Sequence, residues 1–190
     1  HPAPDIAQTH VDRLVGGLIT HRDANTGLPY SHVGDTRFEH WTITYDAAVV
    51  TLAYIAAERL EDARRILDYY IEAPSAWRLG GVIEALVTTD PVTGKDWSVR
   101  SGANLWMGIA SLHVYTRTRE PRYLALATRI AELTLSLQNG NLDDPNYGGI
   151  RLGPEGDPTF PGDQHIAHEA NAQSFYDIYA TEVNIDAYVL

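Results

Sequence analysis

Apolar positions recur along the chain with a helical period in six places. Residues 5–21 set Ile6, Val11, Leu14, Val15 and Leu18 on one side, with Asp12 and Arg13 opposite. That spacing predicts an amphipathic helix with one wet face. Residues 42–60 differ, because from Ala47 to Ala57 they are apolar all the way round, the pattern of a helix buried on every side. Residues 60–73 return to the first type, with Ala63, Ile66, Leu67 and Tyr70 against Asp62, Arg64, Arg65 and Asp68. Residues 101–118 are apolar all round until His113, and 120–138 are amphipathic again. Pro121 opens the latter, where its missing N–H costs nothing. A last apolar helix starts at Thr181.

The order is therefore outer, inner, outer, inner, outer, inner. Inner-to-outer connections are short, whereas outer-to-inner connections are long: 22–43, 74–100 and 139–180. Long loops in a compact domain are usually functional. In an antiparallel array of hairpins, all three fall on one face, at the N-termini of the inner helices. One loop predicts a β-hairpin, with strands at Val82–Thr88 and Lys95–Arg100 around a "DPVTG" turn. A short strand is expected at Gly149–Leu152 in the turn-rich third loop.

Composition narrows the function classes. The 190 residues suit one domain with a real core. The hydrophobic fraction is 44% and the charged fraction 21%, as in ordinary globular proteins. Fourteen basic against 25 acidic residues give a net charge of -11. That charge argues against nucleic acid and anionic membrane as partners, since both require a basic surface. The chain has no cysteine, which rules out disulfides and thiolate chemistry within it. No apolar run is long enough to span a bilayer.

The segments "TGLPYSH" with "TYDAAVVTLAYI", "GANLWMGIASLHVYTRT" with "YLALATRIAELTLSLQ", and "TEVNID" resemble bacterial members of the six-hairpin glycosidase superfamily. In those relatives the last motif more often reads Thr-Glu-His-Asn-Ile-Asp, and Val183 stands here in place of the histidine. The resemblance implies an all-α fold. It would be a partial (α/α)6-type barrel of helical hairpins, with residues 1–190 as a single domain of about half a full barrel. It also implies a carbohydrate substrate, no cofactor, and a secreted or periplasmic location. Half a barrel would expose the flanks of its inner helices, so self-association or a missing partner segment is expected.

Glycoside hydrolysis needs two carboxyl groups across the scissile bond. The inner-helix N-termini supply Asp46, Glu182 and Asp186 as catalytic candidates. Asp46 also complements the helix dipole, and Thr181 with Glu182 also reads as a capped first turn. Asp186 enters an otherwise apolar helix, which capping does not explain. Glu182 and Asp186 are four apart and share a face, so mutual repulsion would raise one pKa. Tyr45, Trp41, Trp97, Asn104, Trp106, Asn184, His32 and Asp35 are candidates for binding substrate, as aromatic platforms or hydroxyl partners. Each aromatic also fits a packing role.

No metal site is expected. "PYSHVGDTRFEHW" gathers His32, Asp35, Glu39 and His40, and "DQHIAHEAN" gathers Asp163, His165, His168 and Glu169, but neither has metal-ligand spacing. Three readings stay open: a glycoside hydrolase, a lyase on a uronate-containing glycan with Tyr45 or a loop histidine as base, and a non-catalytic module that binds sugar or protein. Arg37, Arg78, Arg100 and Arg151 in the long loops keep the lyase in play.

Overall fold

Ser101 to Thr118, the stretch predicted to lack a wet face until His113, forms the middle of the helical array. The computed structural model describes residues 6–88, 90–155 and 175–190. Among these are six α-helices: α1 (Ile6–Thr20), α2 (Thr44–Ala56), α3 (Leu60–Glu72), α4 (Ser101–Thr118), α5 (Pro121–Ser136) and α6 (Thr181–Val189). The fold is thus mostly helical. Helix α4 packs against α2 on one side and α6 on the other, with α5 as its hairpin partner. No residue of α4 is exposed before His113. The helix stops where Arg119 turns left-handed (φ 60°) and donates its N–H to the Tyr115 carbonyl, a familiar C-terminal cap.

Helices α3 and α5 touch behind this row. Their contact is polar at its rim. Arg122 reaches Asp68 at 3.1 Å and Arg64 reaches Glu120 at 2.9 Å. The Tyr123 hydroxyl donates to Asp68 at 2.8 Å. Inside, Ala47, Ala48, Tyr54, Ile66, Leu67, Tyr70, Met107, Ala110 and Ile130 form the main core.

Two glycines allow close approach in this packing. A methyl group on Gly108 would lie 2.9 Å from Leu190 and 3.2 Å from Ile130, so its absence lets α6 and α5 close on α4. A methyl group on Gly81 would lie 2.5 Å from Val99 and 2.7 Å from Leu133.

The expected helix over 42–60 starts two residues late. Trp41–Ile43 forms a strand, β1, because β-branched Thr42 and Ile43 find a partner. They pair antiparallel with Leu86 and Ala85 of β4 (Ala85–Val87). Strand β4 pairs in turn with β5 (Asp90–Asp96). The hairpin was expected, but its turn is displaced. The reversal falls between Val87 and Asp90, and "DPVTG" lies within β5.

The run from Gly81 to Val87 is also not one strand. Gly81–Val82 is β3, paired with β2 (Trp77–Arg78). The connecting residues Leu79 and Gly80 both have left-handed backbones (φ 46° and 85°), as a tight two-residue hairpin requires. At Gly149–Leu152 the structure has isolated bridges, Ile150 with Gln138 and Arg151 with Tyr179, in place of a strand.

These strands tie the long loops to the helix starts. The Thr44 N–H donates to the Glu84 carbonyl at 2.8 Å, and the Glu84 N–H to the Ser98 carbonyl at 2.8 Å. The loop after α1 is held down by Arg65, which donates to the carbonyls of Ala24 and Asn25, and by the Arg22–Asp62 ion pair at 2.6 Å.

One expectation of burial fails. Helix α6 was read as an apolar inner helix, yet Ile185 is 61% and Tyr188 94% exposed. Among the described residues, α6 packs through the side on which Val183 and Asp186 are buried. Helix α1 is similar, with Leu14 71% exposed.

Candidate functional site

The start of α2 brings two carboxyl groups, Asp46 and Glu84, within reach of each other's charge. Asp46 lies in the first turn, where the helix dipole favours an anion. It also lines a cavity of about 490 Å³ between α1 and α2, whose walls include Leu14, Leu18, His21, Tyr30 and Val49.

Glu84 lies across from this turn, between β3 and β4. Its backbone is fixed by the bonds to Thr44 and Ser98. Its side chain is not fully enclosed, yet Oε2 is sealed from solvent and has no hydrogen-bond partner among the described residues. Burial pushes this carboxyl up to about 7, and the charges of Asp96 and Asp46 push the same way. Arg100 opposes them. It is partly neutralised by Asp96, which it meets at 3.2 Å and which also accepts from the Ser98 hydroxyl at 2.7 Å. A carboxyl that keeps its proton to neutrality, beside a second carboxyl, is the pairing that acid–base chemistry uses.

Glu84 was not among the residues singled out in the sequence. The signal was present: it is the one charge in "GGVIEALV". Strand alternation explained the run without requiring a role for that charge.

A second group spans α2, α4 and α6. The Trp106 indole N–H on α4 donates to Asp186 Oδ2 on α6 at 3.1 Å. On its other side the Trp106 ring meets Tyr45 of α2 edge to face, centroids 5.8 Å apart. Asp186 is 9% exposed. Burial raises its pKa, the Trp106 bond opposes this, and the charge of Glu182 adds to it. The repulsion expected between these two acids is thus present, second to burial. Glu182 itself is exposed.

Other candidates are engaged in packing. Asn104 is fully buried. Its amide accepts from Val82 N–H and donates to the carbonyls of Val82 and Arg100, so it fastens β3 to α4 and is closed to a ligand. Trp41 is 7% exposed and meets Phe38 edge to face, with 5.1 Å between centroids. It anchors its loop and offers no open platform. Trp97 is half-buried against the main core. Asn184 accepts from Ile150 N–H at 2.8 Å and donates to the Ala180 carbonyl at 2.9 Å, fixing the 139–152 loop to α6.

His32 packs on Phe38 at 4.8 Å. Asp35 is held by both ends of the Arg37 guanidinium, at 3.1 and 2.7 Å, which lowers its pKa to about 2. No group of three metal-ligating side chains occurs among the described residues. Asp163, His165, His168 and Glu169 lie outside them.

No family model and no curated protein sequence matches the chain. Solved structures do. The chain is similar to the endo-beta-1,4-glucanase CMCax from Acetobacter xylinum, at 12% identity and TM-score 0.53, over 69% of this chain and 40% of that one. It is also similar to a protein described as a novel alpha-amylase from Clostridium perfringens, at 15% identity and TM-score 0.55, over 76% and 42%. The chain thus spans about two fifths of the length of each. At this identity the likeness is one of fold: a glycosidase-like helical fold.

Proposed function

We propose that the chain forms three hairpins of an (α/α)6-type barrel in a hydrolase that cleaves a glycosidic bond of a polysaccharide. Glu84 is the proton donor to the departing oxygen. Asp46 is the partner carboxylate, acting on the sugar carbon or on a water. Asp186, held by Trp106, takes a sugar hydroxyl beside them. The observation that carries this reading is Glu84 Oε2, buried without a hydrogen-bond partner among the described residues and close enough to Asp46 to feel its charge. The names of the two structural neighbours, a glucanase and an amylase, agree with it.

The basic side chains that a uronate lyase would use are occupied. Arg37 pairs with Asp35 and Arg78 donates to the Trp97 carbonyl. Arg100 pairs with Asp96, and Arg151 donates to the Tyr176 carbonyl.

Incubation with neutral and acidic polysaccharides tests the reading. New reducing ends on a neutral substrate are expected, and Glu84→Gln and Asp46→Asn should each abolish them. An ultraviolet-absorbing unsaturated product would overturn hydrolysis in favour of elimination. Binding without products would overturn catalysis altogether, and cleavage that survives both substitutions would overturn the residue assignment.

A further inference from the structure

A groove of about 360 Å³ opens beside the start of α6, on the side of that helix away from Asp186. Asn146, Tyr147, Gly149, Tyr179, Ala180, Thr181 and Asn184 line it. Residues 184 and 186 are two apart on a helix, so their side chains diverge by about 200°. The groove therefore lies on the opposite side of α6 from the Asp186 carboxyl.

Three features define the ligand it takes. The first is an open aromatic face, since Tyr147 is 57% exposed at the rim and a tyrosine ring offers an apolar surface with a polar tip. The second is a pair of short polar groups, the Thr181 hydroxyl and the Asn146 amide, which can meet hydroxyl groups as donor or acceptor. The third is charge: none of the lining side chains is ionised at neutral pH. Arg151 is not a lining residue; its guanidinium lies over the rings of Tyr176 and Tyr179, at 4.1 and 5.0 Å, and donates to the Tyr176 carbonyl. A carboxylate or phosphate ligand would be desolvated here without a counter-charge, which is costly.

The walls are also set in advance. Asp144 accepts from the Asn146 N–H at 2.7 Å. The Tyr147 N–H donates to the Asp144 carbonyl and the Gly149 N–H to the Asn146 carbonyl, both at 2.9 Å. A methyl group on Gly149 would lie 2.9 Å from the Tyr179 ring, so the glycine lets that ring close against the loop. A preformed wall saves ordering entropy when a ligand arrives.

We infer that this groove is a second carbohydrate-binding site, which takes one uncharged sugar unit of a chain stacked on Tyr147. Its choice of ligand class rests on the proposed function, but its position and lining do not. Calorimetric titration of the full chain with maltohexaose, cellohexaose and oligogalacturonate tests it, in the wild type and in Glu84→Gln.

One of the neutral hexaoses should bind, equally in Glu84→Gln, and oligogalacturonate should not. Tyr147→Ala should weaken that binding by about 5- to 10-fold, the share of one aromatic contact. Because Tyr147 is exposed, its circular dichroism should match the wild type. Unchanged affinity in folded Tyr147→Ala would overturn the site, as would binding of oligogalacturonate that depends on Tyr147. If neutral sugar binds through Tyr147 and no polysaccharide is cleaved, the groove stands and the hydrolase reading falls. If cleavage occurs and Tyr147→Ala binds as before, the reverse holds.

Discussion

Trp106 donates its indole N–H to Asp186 across 3.1 Å, joining α4 to α6 through a polar bond. The carboxylate is 9% exposed, and no other hydrogen bond to its side chain appears among the described residues. Trp106→Phe keeps an aromatic ring against Tyr45 and removes only the donor. The expected cost is about 1–3 kcal/mol, the penalty for stranding a buried charged acceptor. Urea denaturation measures it. The pKa of Asp186 should also rise, which carboxyl-carbon NMR would follow. An unchanged denaturation midpoint would show that the bond contributes nothing to stability.

Glu84 predicts a pH dependence with a definite sign. Its folded pKa is about 7 against an ordinary 4.5. Between those values the native state holds a proton that the unfolded chain releases. Stability therefore falls as pH rises from about 4.5 to 7 and levels off beyond. Glu84→Gln lacks this titration. Relative to the wild type it should gain on the order of 3 kcal/mol across that window. Thermal melts at pH 4.5 and 8 decide it, and parallel pH profiles would refute the raised pKa.

Asn104→Ala removes three hydrogen bonds inside a fully buried site. The N–H and carbonyl of Val82 both lose the Asn104 amide as partner. A loss of about 3 kcal/mol or more follows. Hydrogen exchange should report faster opening at Val82 before it does so in α2.

Gly81→Ala presses a methyl group into Val99 and Leu133. Overpacking of this kind costs about 1–3 kcal/mol. A companion change, Leu133→Ala, would relieve part of it. A double-mutant cycle in denaturant would then show favourable coupling, and simple additivity would argue against the clash.

The helices were legible because their information is local. Ser101 to Leu112 shows no polar face in the sequence and none exposed in the structure. The α3 pattern of Ala63, Ile66, Leu67 and Tyr70 reappears as its buried set. The strands were less legible, because pairing depends on distant residues. Trp41–Ile43 joins a sheet only because Ala85–Val87 is there to receive it.

The same limit applied to the site. Asp46 and Asp186 were found because helix N-termini are visible in sequence. Glu84 was not, because its environment is supplied by Asp46 from one distant segment and by Asp96 and Arg100 from another. Asn104, near a helix start, was a candidate for binding substrate, and only the crossing of β3 shows its amide fully used.

The two backbone bonds through Glu84 also have a kinetic meaning. Thr44 begins α2, Glu84 links β3 to β4, and Ser98 precedes α4. None of these three segments can open without breaking a bond to another. Such interlocked pieces exchange their amide hydrogens as one cooperative unit. The N–H groups of Thr44 and Glu84 should therefore share a single opening free energy, and the Glu84 carboxyl would stay aligned with the first turn of α2 for as long as that unit remains closed.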